Sequence, residues 1–173
     1  MFTRRIFSSG MVYLLFFGLQ LMIVDQIHFP LGGFSLFLIF ALCWAALSAP
    51  EIGAVAGFAA GLLLDLDPSS NGPFGQWMLV LSVVGYGIAF LRYGDGGLRN
   101  SPLSLIVLVA LGVVVSLGVY VLLSLMLGED LGNAAQLART ILGNGLWSLA
   151  VTPFILPLVS RFHRAIFETR ELI

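Results

Sequence analysis

Lysine is absent from this chain, and cysteine occurs once, at Cys43. The cations are eight arginines, set against nine carboxylates, for a formal net charge of -1. That balance excludes a polyanion-binding surface, and no basic run reads as a nucleic-acid interface. A single cysteine excludes an internal disulfide and any multi-cysteine metal site, so Cys43 reads as packing between Leu42 and Trp44. Charge of either sign is scarce. Ionisable side chains make up 10% of the 173 residues and hydrophobic ones 59%. A soluble domain carries about 25% charged residues. So few charges cannot cover the surface of a soluble protein this size, which makes the chain an integral membrane protein with the lipid bilayer as its solvent.

What is present divides into six apolar stretches, at about 6–24, 31–47, 49–66, 73–91, 103–127 and 138–159. Each is close to the roughly 20 residues that cross about 30 Å of hydrocarbon as a helix. The expectation is an all-α membrane protein, one transmembrane domain of six helices spanning 1–173. The N-terminal run is too long for a signal peptide and lacks a cleavage site, so it reads as a retained first helix. Polar punctuation separates the stretches, as lipid requires of irregular backbone. Ser48-Ala49-Pro50-Glu51 reads as a capping box opening the third helix. With six spans, Arg4, Arg5, Arg92, Arg99, Arg161, Arg164 and Arg170 share one side and Arg139 stands on the other. The positive-inside rule then places both termini in the cytoplasm. His28 and His163 fall on opposite sides and cannot share a metal.

The stretch GAVAGFAAGLLLD, residues 53–65, combines glycine with an apolar run and ends on an acid. Gly53, Gly57, Gly61 and Asp65 recur every four residues and form one column on a helix. In lipid such a column lets backbones approach closely. It serves either packing within the bundle or docking of a partner's helix. Asp65 opposes the dipole of its own helix and sits near the bilayer, so it needs compensation. Arg139 is the one arginine on that side, and the expectation is an Asp65–Arg139 contact closing the outer edge, unless both reach headgroup water. On the sixth stretch Gln136, Thr140, Asn144, Ser148 and Thr152 step by four as a polar stripe, either packing glue or a ligand-contacting wall. No zinc-protease helix motif, nucleophile elbow or Walker loop occurs, and no cofactor is expected.

Gly57-Phe58-Ala59-Ala60-Gly61-Leu62-Leu63-Leu64-Asp65-Leu66, then a Pro/Ser/Gly turn with Gly75, then Val84-Gly85-Tyr86, resembles the rod shape-determining protein MreD family. The resemblance covers residues 50–90 by motif and the whole chain by size and hydropathy. It implies a non-enzymatic scaffold of the bacterial cell-elongation machinery in the inner membrane. The implied partner is MreC, through its transmembrane helix, with RodA, a class B penicillin-binding protein and MreB as further partners in placing lateral peptidoglycan. On that reading Gly53, Gly57 and Gly61, or a neighbouring groove, receive the MreC helix, and the 65–71 turn contacts residues just outside the membrane. The family is also similar, more remotely, to the six-helix substrate-binding subunits of energy-coupling-factor vitamin transporters. A vitamin-type uptake subunit is therefore the alternative. It needs convergent polar groups at depth, for which Gln20, Ser82, Ser116 and Asn144 are the candidates.

Overall fold

Leucine- and valine-rich runs that carry few side chains able to compete for backbone hydrogen bonds leave the helix as the one way to satisfy their amides in lipid. In a computed structural model, which describes residues 2–24, 34–67, 72–94, 101–129 and 132–167, the chain is all-helical, with no strand among the described residues. Helix α1 spans Phe2–Leu19 and continues as a π-helical turn at Gln20–Val24. It is followed by α2 (Leu36–Leu47), α3 (Pro50–Asp65), α4 (Gln76–Gly94), α5 (Pro102–Met126) and α6 (Ala134–Phe167). Among the described residues three helices are long and apolar enough to cross a membrane: Gln76–Gly94, Pro102–Met126 and Ala134–Ile166. The other three are shorter.

The centre of the bundle is α2. Every residue from Phe37 to Ala46 is buried, and α1, α3, α4, α5 and α6 all pack against it. At about 1.5 Å per residue its 12 residues reach only about 18 Å, short of the hydrocarbon thickness. Phe34 and Ser35 lie outside the helix, which starts at Leu36. Ser35 decides the start: its backbone is extended and its hydroxyl oxygen accepts the Leu38 N–H at 3.2 Å. Aromatic rings lock α1 onto this core. Phe16 stacks on Phe40 at 4.1 Å, and Tyr13 meets Phe40 edge-on at 5.0 Å. Cys43 is fully buried in the same core.

The α2–α3 turn differs from a capping box. Ala49, not Ser48, is the residue before the helix, and no side chain caps it. Pro50 at the first helical position forces its predecessor into extended backbone, and Ala49 adopts φ −65°, ψ 156°. Ser48 is thereby left on the α2 side, where its hydroxyl donates to the Trp44 carbonyl at 2.9 Å and lies 3.2 Å from His163 Nε2. At the other end of the chain, α6 runs through Pro153 and Pro157 to Phe167, well beyond the apolar stretch that ends at 159.

Candidate functional site

The tightest packing in the molecule joins α3 to α4. The buried residues of α3 are Gly53, Gly57, Ala60 and Gly61, so the glycine column faces inward, onto α4. A Cβ on Gly53 would lie 2.7 Å from Ala89 Cβ and 2.9 Å from the Gly85 carbonyl oxygen. On Gly57 it would run into the Leu81 carbonyl, and on Gly61 into the Met78 backbone. Gly85 returns the contact, since a Cβ there would lie 2.7 Å from the Gly53 carbonyl oxygen. The two backbones touch at Gly57 and Gly61, and at Gly53 the methyl group of Ala89 and the Gly85 carbonyl lie against the column. Of the two readings of the column, packing within the bundle is the one this face fits, and docking of a partner's helix is left to a neighbouring groove. The chain's own α4 fills that face and leaves no space for another.

Asp65 ends the column, and its carboxylate turns to the start of α4. Oδ2 accepts the N–H of Gly75 at 3.0 Å and of Met78 at 3.1 Å, and Oδ1 accepts the N–H of Trp77 at 3.1 Å. The Gln76 N–H donates to the Pro73 carbonyl and the Leu79 N–H to the Gly75 carbonyl. Every amide of the first turn is therefore satisfied. Gly75, at φ 98°, supplies the left-handed backbone that aims these amides at one point. The acid opposes the dipole of α3 but complements that of α4, whose positive end it caps. The expected Asp65–Arg139 contact is absent. Arg139 is exposed on α6, and no ion pair joins the two residues. The carboxylate already has its compensation from three amides.

Other helix ends are capped from neighbouring elements in the same manner. Gln20 Oε1, in the π turn, accepts the Phe37 N–H at 3.3 Å in the first turn of α2. At the opposite end of α2, Arg92 of α4 donates to the Ala46 carbonyl at 2.6 Å. Gln76 Nε2 donates to the Tyr120 carbonyl and to Ser124 Oγ, both at 2.8 Å, tying α4 to α5. Trp77 stacks on Tyr120 at 4.3 Å beside them. Spacing within the sequence gives no hint of the Gln76–Tyr120–Ser124 set, because its members lie 44 and 48 positions apart.

The polar stripe of α6 divides. Gln136 is exposed and Thr140 half-buried, whereas Asn144, Ser148 and Thr152 are buried. The buried three bond along their own helix. Asn144 Nδ2 donates to the Thr140 carbonyl at 3.0 Å, Ser148 Oγ to the Asn144 carbonyl at 2.6 Å and Thr152 Oγ1 to the Ser148 carbonyl at 2.5 Å. Back-bonding of this kind satisfies a hydroxyl without a partner helix. Of the other polar residues at depth, Gln20 caps α2, Ser82 donates to the Met78 carbonyl, and Ser116 is buried with no hydrogen bond to its hydroxyl.

The end of the bundle around Arg92 is cationic and concave. A cavity of about 360 Å³ lies between the α2–α3 turn and the last turns of α4 and α6, and Arg92, His163 and Arg164 line it. Trp44 meets the ring of His163, one of the lining residues, edge-on at 5.3 Å. Among the described residues no group of His, Cys, Asp and Glu could hold a metal ion.

Comparison with known proteins gives one match. The family model described as rod shape-determining protein MreD matches residues 4–162. No curated protein and no solved structure matches the chain.

Proposed function

The chain belongs to the rod shape-determining MreD family, and from that premise we propose that it is a non-enzymatic scaffold of the cell-elongation machinery. It would sit in the bacterial inner membrane with both termini cytoplasmic, bind the transmembrane helix of MreC, and help direct lateral peptidoglycan synthesis with RodA, a class B penicillin-binding protein and MreB. The observation that carries the reading is the family match over 4–162. The hairpin supports it. Glycine contact and the Asp65 cap make α3–α4 one stiff unit, and stiffness is what a surface that positions other helices needs.

With the glycine face filled, docking falls to the outward side of α3, where Ile52, Val55 and Phe58 are exposed. Arginine supports the orientation: Arg92, Arg161 and Arg164 gather at one end of the bundle and Arg139 stands at the other. We also infer that the bundle is similar to the energy-coupling-factor substrate-binding subunits, a likeness of fold that brings no transport function with it. The uptake reading asks for convergent polar groups, and Gln20, Ser82 and Asn144 are each engaged with backbone.

Copurification of the full-length tagged protein from membranes tests the proposal. MreC should be recovered with the wild-type chain, and Val55→Ala with Phe58→Ala should reduce that recovery without lowering the amount of folded protein. Recovery of a transporter ATPase or a bound vitamin in place of MreC would overturn it.

A further inference from the structure

The cavity at the Arg92 end has no task in the scaffold reading, and its chemistry is specific. Its polar lining is Ser48, Arg92, Tyr93, Ser160, His163 and Arg164, with no carboxylate among the described lining residues. Two guanidinium groups and an imidazole line one space, while the Ser48 and Ser160 hydroxyls are already donated to the Trp44 and Pro157 carbonyls. Guanidinium forks match phosphate oxygens in pairs and hold them better than a point charge would. Ala49, which precedes α3 and carries no side-chain cap, lines the same space. The positive end of the α3 dipole therefore offsets the negative ends of α2 and α4, whose last turns line the same space. Glu51, in the first turn of α3, is exposed and is not part of the lining.

We propose that this cavity binds the phosphate headgroup of an anionic phospholipid. The shared chemistry is a phosphoryl anion, and the surroundings favour a lipid over free phosphate as its source. The cavity opens at the end of α4, whose outer face continues as Tyr86 stacked on Phe90 at 6.0 Å, both exposed. That face is an apolar track along which acyl chains can lie while the phosphate sits among the arginines. Tyr93, exposed at the rim, has the amphipathic ring favoured at headgroup level. The inference does not depend on MreC, so its failure would leave the scaffold reading standing, and copurification tests that reading separately.

Native mass spectrometry of the full chain, released from mixed phosphatidylglycerol and phosphatidylcholine nanodiscs, reads the site. The wild-type protein should retain one phosphatidylglycerol in preference to phosphatidylcholine. Arg164→Gln should cut that preference at least about tenfold, the loss of a direct charge-assisted hydrogen bond to the phosphate. Arg92→Gln should do the same, but Arg92 also caps α2, so Arg164→Gln is the variant that keeps the test independent of folding. Arg161→Gln is the control, because Arg161 stands at the same end, exposed and outside the cavity lining; it should leave the preference unchanged. An equal loss in Arg161→Gln, or equal retention of both lipids by the wild type, overturns the proposal. Retention of inorganic phosphate with no phosphatidylglycerol adduct overturns the lipid assignment.

Discussion

Met78 donates its backbone N–H to Asp65 Oδ2 at 3.1 Å, although the two residues lie on successive antiparallel helices. An acid that is unfavourable for the helix carrying it thus becomes the cap of the next one. The Trp77 and Gly75 amides complete the arrangement. Hydrogen bonds to a charged acceptor contribute about 1.5–3 kcal/mol, and amides left bare in lipid cost more than in water.

Asp65→Ala should therefore lower stability by about 2–3 kcal/mol, with Asp65→Asn in between because its amide keeps one acceptor oxygen. Cys43 supplies the readout: buried in the native core, it becomes accessible to a maleimide only as the bundle opens. Reversing both charges, Asp65→Arg with Arg139→Asp, should not restore the wild-type labelling rate. Restoration would show that the acid works through Arg139 after all.

The glycine column makes a sharper prediction, since it distinguishes glycines by what surrounds them. Gly57→Ala drives a methyl group into the Leu81 carbonyl, a backbone atom that cannot rotate away. Overpacking of this kind costs about 1–3 kcal/mol. Gly87 lies on α4 with nothing within 4 Å of an added Cβ, so Gly87→Ala should be neutral or stabilising by up to about 1 kcal/mol. Thermal unfolding in detergent should separate the two variants by several degrees. Equal behaviour would mean that the hairpin is looser than its backbone contacts imply.

Much of this architecture is legible in the sequence because it rests on periodicity. Gly53, Gly57, Gly61 and Asp65 share a helix face by spacing alone, and the buried face of α3 is that column. Which helix meets the face is a different matter. The answer lies in Gly85, whose role appears only when the α3–α4 turn brings it opposite Gly53. The partner of Asp65 is hidden from the sequence for a related reason. A search for an opposite charge finds Arg139, whereas the actual partners are amides, which every residue has and no letter in the sequence marks. Ser48 shows the reverse error: its pattern matches a capping box, but Pro50 fixes Ala49 in extended backbone and shifts the helix start by one residue.

The stripe on α6 yields a prediction of a small effect. Ser148 and Thr152 are fully buried, and burial alone suggests hydrogen bonds across helices. Their hydroxyls instead bond to carbonyls one turn back. Ser148→Ala removes donor and demand together, and the Asn144 carbonyl is left to its place in the helix. Stability should change by less than about 1 kcal/mol. MreC recovery should be unaffected, whereas a marked loss on either measure would place the stripe in contact with something outside α6.

Gln20 and Ser35 offer a test at the level of single amides. Gln20 Oε1 takes the Phe37 N–H, and Ser35 Oγ takes the Leu38 N–H, so adjacent donors of one helix turn depend on different elements. Gln20→Leu should speed hydrogen exchange at Phe37 and spare Leu38; Ser35→Ala should do the opposite. Each substitution is expected to cost about 1 kcal/mol, the usual worth of a cap, with more for Gln20 because it is buried and its partner has no water to turn to. If both amides speed up together in either variant, the first turn of α2 opens as a unit. The π turn of α1 would then hold that end of the central helix through packing and not through the bond to Phe37. If both stay slow, neither side chain caps the helix, and the core around Phe37 and Phe40 alone keeps the turn closed.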